Sequence, residues 1–234
     1  MWKITKFDEI DSTNTRLKTM SDAPHGTVLV AKKQTAGRGR LGRSFSSPHG
    51  VYLSALLHRA EDPSDLLHLT AMTAVAVRRA IFDASGIETQ IKWVNDLLVQ
   101  NKKVCGILVE GNQGRYVVGI GINCNTDIAD LPPEVQQMAT TLHCDEDRLI
   151  EALVSRLREM DEKLFSAKRE YMREFADSCI TIGKSVQIVR GEDRFTAFAE
   201  SIDEDAALSI RYPDGHTEKI SSGEVSVRGL YGYL

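Results

Sequence analysis

Residues 90–123, QIKWVNDLLVQNKKVCGILVEGNQGRYVVGIGIN, contain apolar runs of strand length that follow one another closely. We predict strands at 90–94, at 97–99 with 104–109, and at 116–122. Short polar breaks separate these runs, so neighbouring strands are expected to pair within one sheet. The segment therefore predicts a sheet at the centre of the fold.

One of these breaks carries a candidate functional residue. Asn101 and Lys102 form a polar pair between two apolar runs, which predicts a hairpin turn. The turn would place Lys103 at the start of a strand, with its long side chain facing the loop side of the sheet. The alternative is a solvated turn lysine, because its neighbour Lys102 is also basic.

The flanking sequence alternates strand and helix patterns, which is typical of a mixed sheet covered by helices. Predicted strands lie at 28–31 and 51–57, and predicted helices lie at 63–84, 147–167 and 169–179. Asp62 can cap the first of these helices, and Pro63 suits its first turn. Its apolar positions should face the core: Leu66, Leu69, Met72, Val75 and Ile81.

The pattern changes after Gly183 to period-two alternation with recurrent turn residues. Several short strands in about fifty residues predict a small SH3-like β-barrel. We therefore predict an α+β fold, with an α/β-type catalytic domain at residues 1–179 and the small barrel domain at residues 180–234.

Composition excludes several classes of protein. The chain has 234 residues, of which 42% are hydrophobic and 26% charged, and its formal net charge is −4. These are the proportions of an ordinary soluble protein, and the charge gives no general attraction to nucleic acid or to anionic lipid. We find no run of signal-peptide or transmembrane type, so we expect a cytoplasmic protein with no membrane partner.

The four cysteines lie far apart in sequence and include no CxxC pair. We predict neither disulfides nor structural zinc. Cys105 and Cys124 stand in apolar contexts where cysteine is usually a small buried hydrophobe. A catalytic thiol is the less favoured interpretation, because no histidine is close to either residue in sequence.

Residues 37–43 read GRGRLGR, with three arginines among three glycines. Glycine lets backbone N–H groups approach an anion closely, and each guanidinium offers a planar fork of donors. A solvated charge run or a nucleic-acid contact is the alternative. A local basic segment on a mildly acidic protein favours a small anionic ligand over a polyanion. We expect the three arginines to lack an internal anion, so the segment should be mobile until a ligand binds.

Further motifs accompany this segment. KWVND spans 92–96, KKVCGILVEG spans 102–111, GIGIN spans 119–123, and Asp11-Ser12-Thr13-Asn14 precedes a helix-compatible run at 15–20. In this order the set resembles the catalytic domain of biotin protein ligases. That family's motifs are GRGRxGR followed by an aromatic residue, then KWPND, then a lysine followed by GIL, and then GxGxN.

The resemblance covers essentially the whole chain. Phe45 is the aromatic residue where tryptophan is commoner, and Val94 stands where proline is usual. Residues 223–228, GEVSVR, are similar to the SGEVSxR ending of the family's small C-terminal domain. The resemblance implies a class II synthetase-like catalytic domain. It also implies the short form without an N-terminal DNA-binding domain, because only 11 residues precede Ser12.

The resemblance implies an ATP-dependent biotin–[biotin carboxyl-carrier protein] ligase. Biotin and ATP would give biotinoyl-AMP and pyrophosphate, and the biotinoyl group would then pass to a lysine of a carboxylase's biotin carrier domain. ATP and Mg²⁺ are the expected cofactors, and biotin, ATP and the carrier domain are the expected partners. Family members often form homodimers, although no feature of this sequence demands one.

The implied site has three groups of residues. Lys103, Arg38 and Arg40 would be catalytic. The biotin-binding group would comprise Ser12, Thr13, Asn14, Gln34, Gly37, Arg38, Gly39, Arg40, Lys103 and Gly106. The ATP and adenylate group would comprise Arg38, Arg40, Arg43, Phe45, Asn95, Asp96 and Asn123. No metal ligand is certain, although Mg²⁺ arriving with ATP could bind near Asp96.

Simpler roles remain open for several of these residues. Ser12, Thr13 and Asn14 belong to the residue types that cap helices. Asn95-Asp96 is a common turn pair, and Asn123 could merely end a strand. Trp93 and Phe45 are expected to be apolar walls rather than stacking platforms.

Three rival functions remain open. The nearest is a lipoate or octanoate ligase, against which the polar residues Ser12-Thr13-Asn14 and Gln34 argue, because a lipoyl pocket should be apolar. The second is a nucleic-acid-binding regulator, for which we expect too few residues before Ser12. The third is a catalytically silent biotin-binding module, which the intact Gly/Arg segment and Lys103 disfavour.

Overall fold

The computed structural model describes residues 2–46, 48–112, 114–221 and 226–229. The strands are β1 Lys3–Ile10, β2 Thr27–Gln34, β3 Val51–His58, β4 Gln90–Lys92, β5 Asp96–Val99, β6 Lys102–Asn112, β7 Arg115–Ile122, β8 Ser185–Arg190, β9 Asp193–Ile202, β10 Leu208–Arg211, β11 Thr217–Ile220 and β12 Ser226–Gly229. The helices are α1 Thr13–Thr19, α2 Leu69–Ser85, α3 Pro133–Gln136, α4 Glu146–Glu162 and α5 Lys168–Ser178. No helix among the described residues combines the length and apolarity needed to cross a membrane.

Within the described residues, seven strands form one sheet in the order β1-β2-β3-β7-β6-β5-β4. β1 and β2 run parallel, and every other neighbouring pair is antiparallel. The predicted mixed sheet is thus confirmed. Strand β1 was not predicted, because its sequence KITKFDEI lies mostly exposed at the sheet edge and lacks the apolar alternation of a half-buried strand.

Helices cover both faces of this sheet. On one face, α2 and α4 pack over inward-pointing side chains such as Leu53, Ala55 and Ile120. On the opposite face, α1 buries Leu17 against Leu56 and Val117. These two residues alternate along their strands with those that face α2 and α4. Because α1 is only seven residues long, much of this second face is left for a site.

Several predicted boundaries were wrong at helix ends. The predicted helix 63–84 is a 3₁₀ turn, Pro63–Leu66, followed by α2, which begins at Leu69. Asp62 does accept a hydrogen bond from Ser64 N, as its capping role predicts. Helix α4 ends at Glu162 rather than at 167, and strand β4 ends at Lys92 rather than at 94.

The C-terminal part forms a second, antiparallel sheet in the order β11-β10-β9-β8-β12. This confirms the prediction of a small β unit. The indole Nε1 of Trp93 donates to the carbonyl of Ala206 at 2.9 Å, which joins the segment between β4 and β5 to the segment between β9 and β10. Of the predicted ending 223–228, residues 226–228 lie on β12, and 223–225 lie outside the described residues. The domain boundary at 179/180 stays a prediction.

Candidate functional site

Three glycines open a space on the sheet face that α1 leaves uncovered. A Cβ at Gly119 would lie 2.1 Å from Asn14 Oδ1, and one at Gly121 would lie 2.9 Å from the Phe45 ring. A Cβ at Gly106 would lie 2.9 Å from the same ring. Any larger residue on β6 or β7 at these positions would therefore fill the site.

The resulting cavity has a volume of about 480 Å³, which suits a small-molecule ligand. Most of the predicted site residues line it: Ser12, Thr13, Asn14, Gln34, Arg38, Gly39, Arg40, Arg43, Phe45, Asn95, Asp96, Lys103 and Gly106. Two predicted residues, Gly37 and Asn123, do not line it. The lining also includes Trp93, as predicted for an apolar wall, and Gln187 from β8 of the second sheet.

Part of the cavity wall is a buried network of amide and hydroxyl groups. Gln34 Oε1 accepts hydrogen bonds from the backbone N of Thr13 at 2.8 Å and from its Oγ1 at 3.1 Å. Ser54 Oγ lies 2.8 Å from Thr13 Oγ1 and 2.6 Å from Asn14 Oδ1. These fixed dipoles suit a neutral polar ligand group such as a cyclic urea.

Glu110 sets the orientation of Asn14. The Asn14 Nδ2 group donates to Glu110 Oε2 at 3.1 Å and to Leu108 O at 3.3 Å, so its Oδ1 faces Ser54. Burial opposes ionisation of Glu110. Hydrogen bonds from Asn14 and Lys18, with the charges of Lys18 and Arg38, nevertheless hold its pKa below the ordinary value. Glu110 is therefore a carboxylate that joins the polar network to the Gly/Arg segment.

Ser12 both caps a helix and lines the cavity. Its Oγ accepts from Thr15 N at 3.3 Å, as expected for the N-cap residue of α1. The side chain is buried at the cavity wall. Capping and ligand binding are thus compatible for this residue.

The Gly/Arg segment folds into a short hairpin. Gly39 N donates to Arg43 O at 2.8 Å, and Phe45 N donates to Gly37 O at 2.9 Å. The tip is a 3₁₀ turn in which Leu41 has φ 55° and Gly42 has φ 72°. Leu41 is 61% exposed, so the tip carries an apolar side chain at the rim of the cavity.

Internal partners hold two arginines of this hairpin. The sequence predicts that the arginines lack an internal anion, and this is wrong. Arg38 Nη2 lies 3.5 Å from Glu110 Oε1, and Arg40 Nη1 donates to Asn95 Oδ1 at 3.0 Å. Burial lowers the pKa of Arg40, and the charge of Asp96 opposes that shift. A ligand anion must therefore compete with Glu110 for Arg38.

A β-bulge aims Lys103 into the cavity. Leu97 pairs with Cys105, whereas Leu98 pairs with Lys103, so Val104 is an extra residue on β6. Val104 and Cys105 both point into the core, and the alternation of β6 is shifted by one residue. Lys103 consequently shares a face with Gly106, whose Cβ would lie 3.1 Å from Lys103 Nζ.

Lys103 is therefore not the solvated turn lysine of the alternative interpretation. Its side chain is 26% exposed, and its Nζ lies 2.7 Å from Asp96 Oδ1 and 5.4 Å from the Phe45 ring centroid. Its backbone is held by Lys103 N donating to Met138 O at 2.7 Å. A fixed cation thus faces the space between the hairpin and the sheet.

Asn123 lies at the end of β7 but points elsewhere. Its Nδ2 donates to Thr140 O at 2.9 Å, which anchors the chain after α3. Its assigned role beside adenine stays a prediction. Lys92 lines the cavity but was given no role, although it begins the KWVND motif. Ser54, which contacts Thr13 and Asn14, was missed because it sits inside an apolar strand pattern with no motif of its own.

Magnesium has few candidate protein ligands here. Among the described residues, no group of three or more His, Cys, Asp or Glu side chains could hold a metal ion. Asp96 is the cavity carboxylate that sits beside Lys103. One carboxylate is enough for Mg²⁺ when phosphate oxygens and water supply the remaining ligands.

Comparison with protein families agrees with this site. The model for the biotin/lipoate A/B protein ligase family matches residues 7–127, and that for the biotin protein ligase C-terminal domain matches residues 181–228. The chain belongs to the biotin/lipoate A/B protein ligase family. The first match contains the polar network, the Gly/Arg hairpin and Lys103, so the family's region coincides with the cavity.

Individual relatives of this ligase family extend the comparison. The chain is 43% identical over 129 residues to the bifunctional ligase/repressor BirA of Bacillus subtilis, a match covering 52% of this chain but 40% of that protein. It is 31% identical to the biotin–[acetyl-CoA-carboxylase] ligase of Mycobacterium tuberculosis over 86% of this chain and 78% of that one. The biotin protein ligase of Aquifex aeolicus, solved with biotin and ATP, superimposes with a TM-score of 0.84 at 32% identity. That match covers 97% of this chain and 98% of the other.

Proposed function

We propose that this chain is an ATP-dependent biotin ligase that forms biotinoyl-AMP and transfers the biotinoyl group to a lysine of a biotin carrier domain. One observation carries the proposal. Cations that include Arg38, Arg40 and Lys103 line the same cavity as the hydrogen-bonded amide and hydroxyl groups of Thr13 and Asn14. Such a cavity matches a ligand with a neutral polar ring at one end and a carboxylate at the other.

The cations serve an activation step. A carboxylate is a poor acylating agent at neutral pH, so one of its oxygens first attacks the α-phosphorus of ATP and pyrophosphate leaves. Arg38 and Arg40 would hold the carboxylate and the α-phosphate, and Arg43 would hold the departing pyrophosphate. Lys103, released from Asp96, would stabilise negative charge that develops on the phosphate oxygens.

The second step consumes the mixed anhydride. The amine of the acceptor lysine attacks the acyl carbon, an amide bond forms, and AMP leaves with the bonding electrons. The amine loses a proton in this step. When bound with ATP, Mg²⁺ would neutralise phosphate charge, and Asp96 with Asn95 is the pair that could hold it.

Several further features belong to this proposal. The acceptor would be the carrier domain of a carboxylase, and the cytoplasm would be the place of reaction. A homodimer and a domain boundary at 179/180 remain proposals of the same kind. A lipoate or octanoate ligase is the alternative within the family, and the polar contacts of Thr13, Asn14 and Ser54 favour biotin over it.

The purified chain should attach biotin to a carrier domain only when ATP and Mg²⁺ are both present. The physical reason is that the carboxylate needs an adenylate leaving group before an amine can displace it. Intact mass of the carrier domain measures the product. Labelling without ATP, or equal labelling with lipoate, would contradict the proposal, and a carrier domain with its acceptor lysine replaced by arginine is the control.

Gly119→Ala should weaken biotin binding while the protein stays folded. The new Cβ would lie 2.1 Å from Asn14 Oδ1 and 2.7 Å from Asn14 Cγ, so the amide must leave its position. Losing a buried hydrogen-bond partner costs about 1–3 kcal/mol, which corresponds to a roughly 5- to 150-fold increase in Kd. Calorimetry with biotin alone measures the effect.

Gly121→Ala is the matched comparison for that variant. Its Cβ would lie 2.9 Å from the Phe45 ring rather than against Asn14. It should therefore disturb the hairpin more than the polar network. If Gly119→Ala bound biotin as the wild type does, Asn14 would not be part of the biotin site.

A further inference from the structure

Two of the four cysteines lie side by side, although they are 20 residues apart in sequence. Cys124 Sγ and Cys144 Sγ are 3.6 Å apart. Cys124 is buried and Cys144 is half-buried, whereas the other two cysteines, Cys105 and Cys179, are both buried. Sequence spacing gave no sign of this pair, because the excursion between β7 and α4 brings the sulfurs together.

The backbone around the pair is fixed by hydrogen bonds. Cys124 forms a parallel bridge with Leu142, and Leu142 N donates to Asn123 O at 2.9 Å. Asn125 N donates to Leu142 O at 2.8 Å, and Asn125 Nδ2 donates to Cys144 O at 3.0 Å. These contacts hold the two chain segments next to each other, so the two sulfurs stay close together. Rotation of a cysteine side chain could then bring them to bonding distance.

The two thiols differ in reactivity. Burial, and then the neighbouring Cys144 and Glu146, raise the pKa of the Cys124 thiol. The thiolate is the nucleophile in disulfide exchange, so the more accessible Cys144 is the residue that would attack an external disulfide first. Cys124 would then act as the resolving thiol.

We propose that Cys124 and Cys144 form a reversible intramolecular disulfide by exchange with a small-molecule disulfide. Cys144 loses its proton and attacks one sulfur of the oxidant, forming a mixed disulfide and releasing one small thiol. Cys124 then attacks the Cys144 sulfur, loses its proton and releases the second small thiol. Two protein thiols are oxidised, and one external disulfide is reduced to two thiols.

The bond would secure one wall of the cavity. It closes a loop that contains Met138, which lines the cavity, and Thr140, whose N donates to Lys103 O at 2.9 Å. Cross-linking limits the conformations of the unfolded chain and tethers this wall beside Lys103. The inference does not rest on the proposed function, since it concerns the thiols alone.

The test uses the whole protein and oxidised glutathione. No lysine or arginine stands between Tyr116 and Asp147, so trypsin releases both cysteines in one peptide, residues 116–148. After alkylation of remaining thiols, this peptide should lack two hydrogens and carry no alkyl group. Cleavage at acidic residues between the cysteines should give two peptides that separate only after reduction.

Variants assign the bond to the pair. Cys144→Ser should abolish the oxidised peptide, whereas Cys179→Ser should leave it unchanged. The oxidised wild type should melt about 5 °C above the reduced protein, and Cys144→Ser should show no such shift. A peptide that stays reduced would overturn the proposal. A glutathione adduct that persists at Cys144 would also overturn the proposal. Both of these outcomes are measured on the wild-type chain, so a folding defect in a variant cannot cause them.

Discussion

Lys103→Ala is expected to reduce adenylate formation by about 10²–10³-fold, because losing one preorganised electrostatic donor typically costs this much in rate. The β-bulge at Val104 directs this ammonium to the side of the sheet that carries the cavity, where it lies 2.7 Å from Asp96. The measurement is pyrophosphate release from biotin and ATP. The fold should persist, because the backbone contacts of residue 103 with Met138 and Thr140 do not depend on the side chain.

The neighbouring Lys102 provides the matched control. It precedes Lys103 on the same strand and is exposed, so Lys102→Ala should release pyrophosphate at the wild-type rate. Asp96→Asn removes the negative charge that Lys103 contacts but keeps a side chain of similar size beside it. Near-normal pyrophosphate release by Lys103→Ala would show that this lysine supplies only surface charge.

The centre of the fold could be predicted from sequence because strands β3, β5, β6 and β7 are apolar runs between polar turns. Periodicity could not find β1, which is an exposed edge strand whose pairing with β2 depends on the backbone rather than on side-chain burial. It also merged two helical segments between Pro63 and Ser85 into one helix. The apolar residues keep a helical spacing across the short break at His68, so the sequence pattern does not show the break.

The site shows the same division. Motifs identify the cations of the site, because charged and glycine-rich segments stand out in sequence. Ser54 has no such signal, and the GIGIN motif that contains Gly119 does not reveal what this glycine faces. Their positions opposite each other on β3 and β7 create the space and the contact for Asn14. The shift in register at Val104 could not be read from residue types either, since valine and cysteine both suit a strand.

The largest error in the sequence interpretation was that it did not predict the internal ion pairs. Three arginines among glycines suggested a mobile loop without any internal anion. Glu110 comes from strand β6, which is distant in sequence from Arg38, and lies beside it, whereas Asp96 of the neighbouring strand lies beside Lys103. Ligand binding is therefore an exchange of anions. Glu110→Gln would remove the charge that competes for Arg38 while keeping a group of similar size.

Arg40→Gly is expected to release the reactive adenylate and so to label bystander proteins. In the structure Arg40 reaches Asn95 at 3.0 Å and lies near Asp96, so it joins the hairpin to the sheet. Removing a hydrogen bond to a charged group costs about 1.5–3 kcal/mol, which predicts adenylate escape at least about tenfold faster. Biotinylation of serum albumin measures the escape, and the wild type should not label it.

A double variant identifies the source of that labelling. If the label comes from escaped adenylate, adding Lys103→Ala to Arg40→Gly should abolish it. Labelling that survives in the double variant would mean that another reaction modifies albumin. Absence of labelling by Arg40→Gly itself would mean that the hairpin does not retain the intermediate.

Closure of the hairpin should also be visible by proteolysis. Residues 37–43 carry three trypsin sites, and Arg38 is 45% exposed, so the free protein should be cut there readily. An adenylate gives Arg38 and Arg40 an anionic partner in place of Glu110 and the neutral Asn95, which should order the hairpin and shield the anhydride from water. Adding biotin and ATP should therefore slow cleavage after these arginines. Cleavage after Arg173, which is 84% exposed on α5, should continue at the same rate. If ligands slowed both cuts equally, or neither, the hairpin would be a fixed binding surface rather than a lid.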